Sequence, residues 1–141
     1  MATATAPARA TETRNLDEER PWTPGSVWSI DFIRVKSGHD LEYGRGLAAS
    51  WKKAMDENKK NGIVLSYKIL TGLPSTRDDF THLLMIEFPN YAALDQQDKL
   101  EAGAKKVLGS LEAMDELLRK REEIREAIGV RLLREMRFKE I

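Results

Sequence analysis

No cysteine occurs in the 141 residues. Disulfides, thiolate metal sites and cysteine nucleophiles are therefore excluded. Histidine is nearly as scarce, and His39 and His82 lie far apart in the chain. Two distant imidazoles without a His-x-x-x-His spacing predict no metal site. Net charge is missing too, since 23 Lys and Arg balance 23 Asp and Glu. A neutral chain lacks the positive field that displaces counterions from phosphates, so neither general nucleic-acid binding nor attachment to anionic lipid is expected. No apolar run approaches the roughly 18 residues that cross a bilayer. Arg9, Glu12 and Arg14 interrupt any stretch that would serve as a secretory signal. These absences predict a cytoplasmic protein with no membrane association. A Gly-rich phosphate loop and a Gly-x-Ser-x-Gly elbow are also lacking.

What remains suits one domain with one core, given 41% apolar residues. Residues 1–25 are Ala/Thr-rich, then charged, then broken by Pro21 and Pro24. They predict a mobile arm, with the folded domain at 26–141. Trp22 would anchor that arm if it crosses a partner subunit.

Val27 to Val35 alternates, with Trp28, Ile30 and Phe32 on one side and Ser29 and Asp31 on the other, which predicts a strand. Ser37 and Asp40 fit a capping box, and Leu47, Trp51 and Met55 follow at helical spacing. Asn61-Gly62 ends that helix. Ile63 to Leu70 reads as a second strand, and the loop TGLPSTRDD is rich in turn formers. Phe80 to Phe88 is a third strand, with His82, Leu84, Ile86 and Phe88 in phase. A helical region from Tyr91 to about Ile128 breaks near Gly109-Ser110 and closes at Gly129. Val130 to Phe138 is the last strand, with Leu132, Arg134, Met136 and Phe138 on one face.

This order predicts an α+β, ferredoxin-like βαββαβ fold, with both helical segments on one face of a four-stranded antiparallel sheet. The other face would mix Val27, Ile33, Val64, Leu70, Leu83, Met85 and Leu133 with Ser29, Asp31, Ser66, Lys68 and Glu87. That face is too apolar for water and too polar for a dry monomer core. Packing it against a second copy predicts a homodimer.

The element order, the size and the mixed sheet face, from Val27 to Phe138, resemble the dimeric α+β barrel superfamily. That group includes antibiotic-biosynthesis monooxygenases, small haem-degrading oxygenases and several cyclases. The segment LAASWKKAMDENKKNGIVLSYKIL also resembles uncharacterised bacterial proteins of the superfamily. The resemblance implies a pocket between the sheet and its own helices. Residues predicted to face it are Trp28, Ile30, Phe32, Trp51, Met55, Tyr67, His82 and Arg134, an aromatic lining suited to a planar hydrophobic ligand.

His82 is the candidate general base, because its pKa lies near working pH. The plainer reading is a strand-end histidine bonded to the preceding loop. Tyr67 offers a hydroxyl to a substrate oxygen, or points it outward from an edge strand. Arg134 would hold a ligand anion, or a glutamate of the second helical region. Trp28, Phe32, Trp51 and Met55 would bind substrate, or simply fill core. Gly44 and Gly46 allow close approach of a ligand or backbone, or merely loosen the helix start. A single axial histidine suffices for haem. Neither histidine sits mid-helix over the sheet, where the haem-degrading relatives place theirs, so no cofactor is expected. The reading is a small cofactor-independent oxygenase, cyclase or isomerase acting on a hydrophobic or polyketide-like metabolite. Its alternative is a non-catalytic homodimeric module that binds a small ligand or a protein.

Overall fold

The computed structural model describes residues 18–140. Most of the expected arm, residues 1–17, lies outside the described residues. β1 spans Trp22–Val35; α1, Asp40–Gly46, runs through a π-helical turn, Leu47–Trp51, into α2, Lys52–Lys60. β2 is Ser66–Thr71 and β3 is His82–Phe88. A 3-10 turn, Tyr91–Asp95, leads to α3, Gln97–Leu108, then α4, Leu111–Ile124, and β4, Arg125–Phe138. The strands form one antiparallel sheet in the order β2-β3-β1-β4. β2 and β4 are its open edges, so the sheet is not closed on itself. Among the described residues, no helix is long and apolar enough to cross a membrane.

Several boundaries differ from the sequence reading. β1 begins at Trp22, which pairs with Phe138 of the same chain, so residues 22–25 belong to the sheet. The first helix starts at Asp40 with His39 before it, and no side chain caps it, so Ser37 is not the N-cap. Residues Arg125 to Gly129 are strand rather than helix end. Their helix-forming composition yields to tertiary pairing: Val35, Arg34 and Ile33 take Arg125, Glu126 and Ala127 as partners. The break at Gly109 stands where the sequence puts it. Its φ of 102° is a left-handed conformation suited to glycine, and Ser110 then caps α4 by accepting from Ala113 N at 3.0 Å.

The helices cover one face of the sheet. Ile33, Val35 and Leu84 pack against Tyr43 and Leu47, while Phe88 packs with Ile63, Val64 and Ala93. Paired residues share a face, and Ile33 pairs with His82 and Asp31 with Leu84. The helix side therefore carries Val27, Ser29, Asp31 and Ile33 of β1. Trp28, Ile30 and Phe32 point to the opposite side, the reverse of the sequence reading. The reason is local: both parities of β1 carry large apolar residues, and the choice falls to Ile33 and Val35, which meet α1 directly. Within Ser66–Thr71 and His82–Phe88 the parity read agrees with the pairing, which leaves Leu70, Leu83 and Met85 on the uncovered face. Ile63 to Leu65 precede the strand, and Val64, read onto the uncovered face, packs instead with Phe88 beneath the helices.

α2 and α3 meet at a close contact. Asn58 is buried, and its carbonyl accepts from Ile63 N at 3.1 Å and Val64 N at 3.2 Å. A methyl group on Gly103 would overlap the Asn58 Oδ1, so only glycine fits. Gly103→Ala gains about 1 kcal/mol of helix propensity but forces the helices apart. We expect a net loss of about 1–2 kcal/mol in urea unfolding; a stabilised variant would show that the contact is loose.

Candidate functional site

The π-helical turn sits where Gly44 and Gly46 lower the helix propensity of the preceding segment. Such turns insert one extra residue and re-aim the side chains around them. Here Trp51 and Leu47 flank a cleft of about 380 Å³, closed from below by Tyr67, Ile69 and His82 of the sheet. Gly44 forms part of the rim, and nothing lies within 4 Å of where its Cβ would be. The chain itself therefore does not require glycine there. Gly44→Ala is expected to stabilise the fold by about 0.5–1 kcal/mol while narrowing the cleft mouth and weakening any ligand. Paired melting and ligand titration would check both signs.

Tyr67 and Trp51 meet edge to face with ring centroids 5.2 Å apart. The Tyr67 hydroxyl donates to Asp56 Oδ1 at 2.5 Å, and Lys52 Nζ holds the other carboxylate oxygen at 2.7 Å. The bond to Asp56, with burial adding to it, raises the Tyr67 pKa, and Lys52 and Tyr67 together lower that of Asp56. The phenol thus stays protonated and its proton is directed at Asp56.

His82 begins β3, half-buried, with its ring edge-on to Tyr43 at 5.4 Å. Nδ1 lies 2.8 Å from Thr81 Oγ1, the bond to the preceding loop expected of a strand-end histidine. That bond does not withdraw the ring from the cleft, which His82 lines, and a second cleft of about 460 Å³ formed by Asp40 and the residues around Gly72 also reaches it. Burial lowers the His82 pKa against a weaker opposing pull from Asp40, so the imidazole is neutral at neutral pH. Thr81 Oγ1 accepts from Val35 N at 2.9 Å and lies 3.4 Å from the Ile33 carbonyl. If Thr81 gives its proton to Ile33, Nδ1–H donates to Thr81 and Nε2 carries the free lone pair of a base. Nε2 has no hydrogen-bond partner among the described residues.

Three of the residues expected to face the pocket, Trp51, Tyr67 and His82, thus share one cleft. The other five lie elsewhere, Ile30 among them on the face away from the helices. Met55 packs into the core around Ile63 and Val64. Trp28 is on the uncovered face under Lys68 Nζ, 5.0 Å from its ring, and Phe32 meets Phe80 edge to face at 5.4 Å. Arg134 is exposed on edge strand β4. It donates to the Gly25 carbonyl at 3.2 Å and stacks over Tyr91 at 5.0 Å, and it does not pair with a glutamate of α3 or α4. Thr81 and the π-helical turn were not foreseen as site elements. The two closely spaced glycines were the signal of the turn. Among the described residues, no group of three or more His, Cys, Asp or Glu is placed to hold a metal ion.

Neither a family model nor a curated protein matches the chain. A solved structure from Bacteroides thetaiotaomicron, described as a conserved protein of unknown function and possible oxidoreductase, aligns with 81% of this chain and 99% of its own. The two share 16% identity at a TM-score of 0.41.

Proposed function

We propose that this protein is a small proton-moving enzyme, an oxygenase, cyclase or isomerase that needs no bound cofactor and acts on a planar hydrophobic metabolite. The observation that carries this reading is the convergence of a neutral histidine with Trp51 and Tyr67 on one largely apolar cleft. Trp51 and Ile69 would sandwich the substrate. His82 Nε2 would take a proton from a carbon acid, and the resulting carbanion is the electron-rich species that later steps need. Exclusion of water by the aromatic walls would favour a neutral base over a charged one.

The sheet order β2-β3-β1-β4 with helices on one face suits a ferredoxin-like unit that pairs through its uncovered face. What supports a dimeric barrel is the character of that face and of β4. Leu70 and Leu133 are exposed beside half-buried Trp28, Phe32 and Met85, and β4 shows Val130 at 63% and Phe138 at 75% exposure. This exposed edge strand of 14 residues sets apolar side chains such as Val130, Leu133 and Phe138 between charged ones, and the apolar ones favour a partner. A second copy is the occupant we propose.

Native mass spectrometry of the freshly purified protein, before and after denaturation, tests both parts. The expected result is a dimer that releases a small organic mass. A monomer would sink the barrel, and a dimer that carries nothing and takes up no added aromatic ligand would favour a non-catalytic module.

A further inference from the structure

A second, smaller cavity lies on the other side of the π-helical turn. It has about 160 Å³ and is bounded by α1 and α4, with Ser50, Lys120 and Arg121 among its walls. The volume is too small for the metabolite proposed above, yet it admits a phosphate or carboxylate group. Its chemistry is set by Arg121. That guanidinium carries five donors, and its one hydrogen bond among the described residues goes to Ser50 Oγ. The Ser50 hydroxyl is itself committed to the Gly46 carbonyl at 2.6 Å. No carboxylate lies within ion-pair distance of Arg121 among the described residues.

The surroundings add positive charge. Arg125, outside the cavity lining and with its side chain 10% exposed, gives one bond to the hydroxyl of the lining Tyr43 at 3.1 Å and one to its ion-pair partner Glu122 at 3.3 Å. Its Nε is buried without a partner. Lys120 stands at the rim. The lining carboxylate, Glu42, is largely exposed and engaged by His39 Nδ1 at 3.0 Å. Asp31 acts on Arg125 only through space and forms no ion pair among the described residues. Arg125 has Glu122, but a partly buried Arg121 beside it with no carboxylate of its own is costly unless something supplies the missing charge.

We propose that this cavity binds a small oxyanion, a phosphate or carboxylate group held by Arg121 with Lys120 at the mouth. Arginine's planar fork suits two oxygens of such a group, and Ser50 fixes the guanidinium in place from behind. The site is separate from the Trp51–His82 cleft and does not depend on its chemistry.

The test is titration of the full chain with inorganic phosphate, with acetate, and with chloride at matched ionic strength. Thermal midpoint and the Arg121 side-chain N–H resonance are followed together. The expected result is a saturable rise in midpoint with phosphate or acetate beyond that of chloride, and a shifted Arg121 signal. Which anion saturates distinguishes a phosphate site from a carboxylate site. Arg121→Gln should weaken binding by on the order of tenfold or more while leaving the anion-free midpoint unchanged or higher, because an unanswered charge has been removed. Lys120→Gln should weaken it severalfold. An Arg121 resonance unmoved by either anion in the wild-type chain would overturn the proposal, even if the Arg121 variant failed to fold. So would an Arg121→Gln protein that keeps the full response.

Discussion

Replacing His82 by alanine is expected to lower turnover by roughly 10²- to 10⁴-fold, the usual worth of a positioned general base, while the fold survives. The residue starts a strand and is only half-buried, so truncation opens the cleft without leaving a sealed cavity. His82→Gln should be nearly as inactive, since it keeps size and a hydrogen bond to Thr81 but cannot take the proton. The substrate is the mass released in native spectrometry, and steady-state rates on it provide the readout. The wild-type pH profile adds an independent check. Burial depresses the His82 pKa, so the acid limb of kcat/KM should fall below the ordinary histidine value of 6.5. The same depression has a stability sign. A histidine whose folded pKa is lowered contributes stability above its unfolded pKa, and that contribution is lost as pH falls through the folded value. Acidification below the ordinary histidine value of about 6.5 should therefore cost the wild type stability that His82→Gln does not lose. Full activity in either variant would remove His82 from the mechanism.

The largest effect on stability is expected from Leu84→Ala. Leu84 is 2% exposed in central strand β3, with Asp31 and Ile69 as its cross-strand neighbours and Ile33, Tyr43 and Leu47 packed around it. Removing three buried carbons between sheet and α1 leaves a void that neither rigid element can close. The expected cost is about 2–5 kcal/mol in chemical unfolding. Leu73→Ala, at a side chain 96% exposed in the β2–β3 loop, should change stability by less than about 0.5 kcal/mol. Equal losses at the two positions would mean that the core does not lie where these contacts place it.

Legibility in the sequence followed the strength of the periodic signal. β2 and β3 alternate cleanly, and their faces were readable. β1 carries Val27, Ile33 and Val35 on one parity and Trp28, Ile30 and Phe32 on the other. Alternation alone cannot orient such a strand, and the wrong choice moved Trp28 and Phe32 away from the cleft. Arg125 to Gly129 misled because Arg, Glu, Ala and Ile form helices readily, while their strand pairing with Ile33 to Val35 is a long-range fact. His82, Tyr67 and Trp51 came together because each sits at a position whose face was correctly read. Arg134 shares that parity but lies on β4, beyond the reach of the helices, where it finds a carbonyl and a tyrosine ring instead. The charge balance between Arg121 and its surroundings was invisible, since it depends on which glutamates the fold turns away.

On this reading the cleft between Trp51, Tyr67 and His82 accepts a planar apolar molecule. The most direct measurement is a ¹H–¹⁵N correlation spectrum of the isotope-labelled protein titrated with small aromatic probes such as naphthol and indole. Saturable shifts are expected at the Trp51 indole N–H, the Gly44 amide and the His82 ring, with those at Gly44 and His82 lost in Trp51→Ala. Shifts confined to Trp28 and Phe32 on the opposite face, or binding that Trp51→Ala retains, would contradict it.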